Sequence, residues 1–195
     1  MEPRKQSPSG SIDAARGGVD TAPAMSSKKQ KKNGQSKLED LARTVIDRVD
    51  AHDLEGMETL SHPDLFEDVI AVGPLDGREA VQRFFGETFS AFPDFHIEID
   101  RVIAADATAC VQWRLSGTFT GTPFQGIRAN GARVELRGVD VMEFEDGLLR
   151  RNTVYYDGAT FARAVGMLPA QGSLGERAML GGFNVFTSAR QMLHR

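Results

Sequence analysis

The chain has 195 residues, of which 41% are hydrophobic and 26% charged, the composition of a soluble globular protein with room for one domain and tails. Its net charge of −4 is the sum of +4 over residues 1–36 and −8 over the remainder, which argues against nucleic acid as the main ligand of the folded part. No apolar run approaches the ~18 residues of a membrane span, and the N-terminus lacks the apolar core of a signal peptide, so we predict a cytoplasmic protein without membrane contact.

Residues 1–36 come first in chain order and contain most of the basic run "SSKKQKKNGQSK". Blocks of like charge are usually solvated and unfolded, so we predict a disordered tail. Any contact of this tail with nucleic acid is expected to be weak and salt-dependent. Met25, at the start of the run, is a candidate initiator residue.

Three helices are predicted between residue 37 and residue 92. Residues 37–52 form an amphipathic helix, and residues 54–60 follow with Asp53 as the N-cap. Residues 78–92 form the third helix, after the turn sequence "GPLDG". The first apolar stripe contains Leu38, Leu41, Ala42, Val45, Ile46 and Val49, and the third helix carries Val81, Phe84, Phe85, Thr88 and Phe92.

Strands dominate the rest of the chain, because the apolar residues alternate with polar ones. Residues 65–72 form a first strand between the second and third helices, and its Asp68 shares a face with Phe66, Ile70 and Val72. Two further alternating segments are "FHIEIDRVIAA" and "TACVQWRLSGTF". The turn Asp146-Gly147 then joins the segment "GVDVMEFEDG" to residues 148–156 in a hairpin.

Asp140 is the residue of this hairpin that calls for an explanation. Side chains two apart on a strand share a face, so Asp140 lies with Val134, Leu136, Gly138, Met142 and Phe144. An unpaired carboxylate on such an apolar face is costly. Either Tyr155 or Tyr156 shares this face, and a shift of one residue in register decides which.

Helices followed by a meander of about four long strands indicate an α+β fold, in which a curved sheet wraps the helices and encloses a pocket. The folded domain spans residues 37–169 in this interpretation. Residues 170–195 form a C-terminal helical extension, which Gly181 and Gly182 weaken.

No metal or cofactor site is predicted. The single Cys110 and the four histidines form no cluster at metal-ligand spacing, and the pairs Glu67-Asp68 and Glu145-Asp146 supply too few oxygen ligands for a calcium loop. The sequence also contains no phosphate loop and no dinucleotide fingerprint.

The run "DLEGMETLSHPDLFEDVIAVGPLDGREAVQRFF", followed by "GVDVMEFEDG", resembles the ketosteroid isomerase and SnoaL-like polyketide cyclase branch of the NTF2-like superfamily. The segments "FPDFHIEI" and "LSGTFTGTPFQGIRANG" are closer to the SnoaL-like members. The resemblance covers roughly residues 38–169. It implies a cone-shaped α+β barrel, with three N-terminal helices packed on a curved antiparallel sheet, a pocket between them, and usually a homodimer.

The resemblance also implies roles for two aspartates. The isomerases carry their general base in a V-E-D context, which "FED" matches at Asp68, and a protonated aspartate in an I-D-x-F-R-F context, which "VDVMEF" matches at Asp140. The chain departs from both families at two positions. Val45 is aligned with a helix tyrosine of the isomerases, and Phe119 is aligned with a histidine that is common in SnoaL-like proteins.

The residues themselves also support a catalytic role for the two aspartates. Burial raises the pKa of a carboxyl group, and two carboxyl groups in one dry pocket have pKa values that move apart. One then acts as an acid while the other removes a proton α to a carbonyl. The function predicted is that of a cofactor-free polyketide cyclase or ketosteroid isomerase-like isomerase acting on a hydrophobic small molecule, with Asp140 central and Asp68 assisting. The predicted ligand-binding residues are Trp113, Phe119, Met142, Phe85, Val45, Tyr155 and Tyr156.

Several alternatives stay open at this point. Asp140 is a structural residue if it pairs with Arg114 or Arg150 or caps a backbone bulge near Gly138, and Asp157 is either a helix N-cap or the acid–base residue of the cyclases. The protein is a non-catalytic ligand- or protein-binding module if the substitution at Val45 removes catalysis, and its two tails then supply contacts. An epoxide hydrolase-like Asp-Arg-Asp site requires an arginine such as Arg114 between the aspartates.

Overall fold

The computed structural model describes the backbone of residues 23–193 and the side chains of residues 33–192. It has the predicted α+β fold, in which helices pack on one face of a single sheet. The elements in chain order are α1 (Pro23–Asp50), α2 (Leu54–Thr59), β1 (Ser61–Val69), β2 (Gly73–Asp76), α3 (Arg78–Ala91), β3 (His96–Ala105), β4 (Thr108–Thr118), β5 (Arg133–Glu145), β6 (Leu148–Tyr156), α4 (Gly158–Ala164) and α5 (Leu174–Leu193).

The three N-terminal helices occur where the apolar stripes predict them, with one difference in extent. Helix α1 begins at Pro23, so residues 23–36, predicted as part of a disordered tail, are helical. The rest of that predicted tail lies outside the described residues. Asp53 caps α2 as expected, since its Oδ1 accepts a hydrogen bond of 2.9 Å from the backbone N–H of Gly56.

The sheet has six strands in the order β2-β1-β6-β5-β4-β3 and does not close on itself. Strands β3 to β6 form the predicted antiparallel meander. Strand β1 extends it by pairing in parallel with β6, and β2 pairs antiparallel with β1. The segment "GPLD", predicted as part of a turn, is therefore a short edge strand.

The face assignment of β1 differs from the prediction by one residue. Leu65, Glu67 and Val69 point into the protein and are buried, whereas Phe66 and Asp68 lie on the outer face. Both faces of this strand carry large apolar side chains, so alternation alone does not identify the buried one. The outer Phe66 is covered instead by the guanidinium of Arg151, whose Cζ lies 4.7 Å from the ring centroid.

The concave face of the sheet and the apolar stripes of α1 and α3 form the core. On β5 the buried side chains alternate as predicted, and Asp140 is among them. The register of the hairpin places Tyr156 opposite Gly138 and Val154 opposite Asp140, so Tyr156 shares the inner face while Tyr155 points outward. This settles the register that the sequence left open.

The C-terminal residues add two helices to this domain. Asp157 is the N-cap of α4, because it accepts hydrogen bonds from the Ala159 backbone N–H at 2.9 Å and from the Thr160 hydroxyl at 2.6 Å. Helix α5 runs through Gly181 and Gly182 and leaves most of its side chains exposed. Among residues 23–193, no helix combines the length and apolar character needed to cross a membrane.

Candidate active site

A cavity of about 120 Å³ lies between helices α1 and α3 and the concave face of the sheet. Apolar side chains form most of its wall, and the carboxyl groups of Asp140 and Glu67 and the phenol of Tyr156 are its titratable groups. Such an apolar pocket with a few converging polar groups is the usual form of a small-molecule site. The aromatic part of the wall comprises Phe84, Phe85, Phe92, Phe95, Phe124, Phe161, Trp113 and Tyr156.

Asp140 is 7% exposed and accepts two hydrogen bonds from neighbouring strands. The indole Nε1–H of Trp113 donates to its Oδ1 at 2.7 Å, and the amide Nδ2–H of Asn152 donates to its Oδ2 at 3.0 Å. Burial raises the pKa of Asp140 to about 6, and these two hydrogen bonds oppose the rise because they stabilise the anion. The carboxyl group therefore titrates close to neutral pH.

Glu67 supplies a second buried carboxyl group, 4% exposed, from β1. Its partner in the parallel register with β6 is Asn152, which also contacts Asp140. Burial and, to a smaller extent, the charge of Asp140 raise the pKa of Glu67 to about 8, and a side-chain hydrogen bond with Asn152 acts in the opposite direction. The two carboxyl groups thus have pKa values that differ, which is the arrangement that separates an acid from a base.

Glu67, Asn152, Asp140 and Trp113 form a polar row across β1, β6, β5 and β4. A smaller cavity of about 30 Å³ adjoins this row, and Ser61 also contributes to its wall. Two buried atoms of the row, Glu67 Oε2 and Asn152 Oδ1, have no hydrogen-bond partner among the described residues. Such atoms call for an explanation, because buried polar groups are nearly always paired.

The structure brings together part of the predicted ligand-binding set. Trp113, Phe85 and Tyr156 line the larger cavity, and burial raises the pKa of Tyr156. Val45 lines only the smaller cavity. The other three predictions are not supported by position: Phe119 and Met142 are completely buried in the core away from both cavities, and Tyr155 is 51% exposed on the outer face of the sheet.

The prediction of Asp68 as a site residue is corrected, since its side chain lies on the outer face and the neighbouring Glu67 occupies the cavity wall. The sequence reasoning missed Glu67 and Asn152. A shift of one residue on β1 accounts for the first. Asn152 stands two residues before Val154 and four before Tyr156, so an amide on the inner face of β6 was the available signal for the second.

Three alternatives for the aspartates are wrong in this structure. Arg114 lies on the outer face, where it pairs with Asp100 and Glu98 at 2.8 Å, so it neither neutralises Asp140 nor completes an Asp-Arg-Asp site. Arg150 pairs with Glu145 at 3.4 Å and with Asp64 at 3.8 Å. Asp157 is an exposed helix cap whose pKa is lowered by its hydrogen bonds, first that of Thr160.

Across the described part of the chain, no three His, Cys, Asp or Glu side chains are grouped to hold a metal ion.

Gly138 leaves room for the Trp113 indole, because a Cβ at this position would collide with the ring and would lie 2.6 Å from the Tyr155 carbonyl oxygen. We expect Gly138→Ala to lower the free energy of unfolding by about 1–3 kcal/mol through overpacking. Chemical denaturation measures this loss. The control is Gly86→Ala, whose Cβ would meet only Leu54 Cδ1 at 3.8 Å, and which should raise stability by roughly 0.5–1 kcal/mol in a helix interior. Equal effects at the two sites would contradict the packing described here.

The chain is similar in sequence to one protein family and in fold to several solved structures. The sequence profile of the SnoaL-like polyketide cyclases matches residues 39–165, which include the helices α2 and α3 and all six strands. No curated protein matches the chain. Similar folds occur in solved structures of low sequence identity.

Three of these structures show the fold clearly. AclR, a candidate hydroxylase from Streptomyces galilaeus, has a TM-score of 0.62 at 17% identity, with 83% of this chain and 99% of AclR covered. A candidate SnoaL-like polyketide cyclase from Jannaschia sp. CCS1 has a TM-score of 0.63 at 19% identity, with 78% of this chain and 100% of the cyclase covered. IdmH, a candidate polyketide cyclase from Streptomyces antibioticus, has a TM-score of 0.57 at 19% identity, with 66% of this chain and 98% of IdmH covered.

Proposed function

We propose, since the chain belongs to the SnoaL-like polyketide cyclase family, that it performs acid–base catalysis on a hydrophobic carbonyl compound. The reaction is an isomerisation or an aldol-type cyclisation, and the substrate is a polyketide or steroid-like molecule. The observation that carries this proposal is the pairing of Asp140 with a second buried carboxyl group on the wall of an otherwise apolar cavity. Perturbed carboxyl groups in a cleft are typical of catalytic sites.

The cavity wall favours a ligand whose reacting part is apolar apart from a carbonyl group. A cavity of about 150 Å³ is known to accommodate benzene, so the 120 Å³ present here matches roughly one ring. We therefore expect the reacting ring of the substrate to occupy the cavity while the rest of the molecule lies beyond it. Phe85 and Trp113 would contact this ring.

Acid–base chemistry at Asp140 follows from its surroundings. Both reactions begin when a base removes a proton from the carbon next to a carbonyl group. A carboxyl group with a pKa of about 6 is largely ionised at pH 7, yet it is a stronger base than an aspartate in water. The shielded cavity also keeps water from competing for the enolate.

The direct test is exchange of α-protons in D₂O, followed by proton NMR with a panel of hydrophobic ketones that contains a β,γ-unsaturated cyclic ketone and a 1,3-diketone. We expect the wild-type protein to accelerate exchange for at least one ketone that also raises its melting temperature. Asp68→Asn, on the outer face of β1, should exchange at the wild-type rate. Ketones that bind without any acceleration would contradict catalysis.

The second candidate function is non-catalytic ligand binding, and the observation that favours it is Val45. This residue stands where the isomerases carry a tyrosine, and it offers no hydrogen bond to a ligand oxygen at the smaller cavity. The exchange experiment separates the two functions, because a binding module shifts its melting temperature with a ketone and leaves the exchange rate of that ketone unchanged.

We further propose that the protein is a homodimer in which the apolar side chains of α5 contact a second copy of the chain. Exposed apolar patches of this kind mark interaction sites. We expect sedimentation velocity to give the mass of two chains, and Phe183→Ser combined with Phe186→Ser to give the mass of one. Asn184→Ala combined with Gln191→Ala is the control on the polar side of the helix, and a single-chain mass for the wild type would contradict the proposal. The exposed large apolar residues of α5 are Leu174, Met179, Leu180, Phe183, Val185, Phe186 and Met192.

A further inference from the structure

The hydrogen bonds around Asp140 and Glu67 are unequal. Asp140 has a donor at each oxygen, the Trp113 indole at Oδ1 and the Asn152 amide at Oδ2. Glu67 Oε2 and Asn152 Oδ1 have no partner among the described residues. An ionised carboxylate oxygen and an amide oxygen both only accept hydrogen bonds, so neither can satisfy the other. A proton on Glu67 removes this conflict, because it supplies an O–H donor that an amide oxygen such as Asn152 Oδ1, at the paired position of β6, can accept.

We infer that Glu67 is the neutral acid of the site and Asp140 its ionised base, with Asn152 as the positioning residue that holds both. This inference rests on the proposed function and assigns the roles within it. It is the reverse of the isomerase arrangement implied by resemblance, in which the base stands on the first strand and the neutral carboxyl group on the strand of Asp140.

The Trp113 indole determines which of the two carboxyl groups, Glu67 or Asp140, is the ionised one. The amide of Asn152 could turn over, so that its nitrogen donates a hydrogen bond to Glu67 and its oxygen accepts one from a protonated Asp140. The indole N–H cannot adapt in this way, since it only donates. It therefore stabilises an anion at Asp140 in either orientation of the amide, whereas Glu67 Oε2 has no hydrogen-bond partner among the described residues.

The surroundings of Glu67 favour its neutral form, and the interaction with Asn152 is the one that acts in the opposite direction among the causes of its pKa shift. Helices α1 and α3 face it with Ile, Val, Phe and Thr side chains, and α2 contributes Met57. The other titratable groups that line the two cavities are Asp140, which carries a like charge when ionised, and Tyr156, whose raised pKa keeps its phenol neutral. The raised pKa of Glu67 agrees with this assignment.

The assignment defines how an enolisable ketone would bind and react. When the ketone binds, the Glu67 O–H turns from Asn152 Oδ1 to the carbonyl oxygen of the ketone on the β1 side, and the α-carbon faces Asp140 on the β5 side. Asp140 takes the α-proton, the C–H electron pair moves into the C=C bond of the enolate, and the Glu67 proton stabilises the negative oxygen. Asp140 then returns the proton to another carbon in an isomerisation, so the protein ends in its starting state.

Paired substitutions test the assignment in the α-proton exchange assay. Glu67→Gln keeps an N–H donor for the ketone oxygen, so we expect it to retain at least about a tenth of the wild-type rate, whereas Asp140→Asn removes the base and should lose about 100-fold or more. The exposed Glu143→Gln is the control for a charge change on β5 and should match the wild type. A loss for Glu67→Gln as large as that for Asp140→Asn would overturn the assignment.

Asn152→Leu tests the positioning role, because leucine has a similar volume and no hydrogen-bonding group. Loss of the donor to Asp140 should move the acidic limb of the pH–rate profile upward by about one pH unit. A purely structural role would lower the amount of folded protein without moving this limb, and that outcome would overturn the positioning role.

An infrared difference spectrum separates failure of this inference from failure of the proposed function. We expect the wild type minus Glu67→Gln spectrum of the ligand-free protein at pH 7 to contain the band of a neutral carboxylic acid. Presence of this band without any α-proton exchange would contradict the catalytic function alone. Exchange by a protein that shows only carboxylate bands would overturn the inference alone.

Discussion

Asp140→Asn is expected to slow turnover of a carbonyl substrate by about 10²- to 10⁴-fold and to leave the protein at least as stable as the wild type. The loss of rate follows because an amide cannot accept the α-proton. The stability follows because asparagine has nearly the same shape and carries no charge that must be buried. Kinetics and thermal unfolding of the same preparation measure the two effects together.

The hydrogen bonds of the polar row can all be kept in this variant. The new amide oxygen accepts from Trp113, and the new NH₂ group donates to Asn152 once the amide of Asn152 turns over. The nitrogen of Asn152 then points toward β1, where Glu67 is its register partner. A variant that binds ketones but does not turn them over would support the account. Clear destabilisation, by more than about 2 kcal/mol, would instead identify Asp140 as a structural residue.

The second large effect is a fall in stability as the pH rises from about 4 to about 8. The pKa of Asp140 is raised from 3.8 to about 6 and that of Glu67 from 4.5 to about 8, so the folded protein binds protons more tightly than the unfolded chain. Stability is therefore greatest below the unfolded pKa values and is lost as the pH passes through the folded ones. At about 1.4 kcal/mol per pKa unit, the two rises together correspond to at most roughly 8 kcal/mol.

Glu67→Gln isolates the upper half of this pH range. Because glutamine does not titrate, the variant should lose most of the fall between pH 6 and pH 8 and should be more stable than the wild type at pH 8. Urea denaturation at each pH measures the difference. The control is Asp68→Asn, which changes the adjacent carboxyl group on the outer face and should leave the wild-type slope unchanged. Equal slopes for the wild type and Glu67→Gln would contradict a buried, neutral Glu67.

The sequence predicts the α+β fold and the position of Asp140 well, because β5 has one clearly polar face and one clearly apolar face. On β1 both faces carry large apolar side chains, and Phe66 finds its cover in Arg151, so the sequence pattern does not distinguish Glu67 from Asp68. The parallel pairing of β1 with β6 is a contact between distant segments that no local pattern encodes. This pairing is what places Asn152 between Glu67 and Asp140.

Phe119 and Met142 show a second reason why the predicted ligand-binding residues differ from those that line the cavity. Both lie on inward faces, as their spacing predicts, yet they are completely buried in the core, whereas Phe85 and Trp113 border the cavity. Periodicity identifies the inner face of an element and cannot show where on that face the packing leaves space. Only the curvature of the sheet against α1 and α3 determines this.

The central claim is that two buried carboxyl groups share one cavity wall and that one of them, Glu67, holds a proton at neutral pH. The most direct measurement is a ¹³C NMR titration of the side-chain carboxyl carbons, assigned with Asp140→Asn and Glu67→Gln. The account predicts that Glu67 titrates near pH 8 and Asp140 near pH 6. Titration of both groups near pH 4, as for carboxyl groups in water, would contradict it.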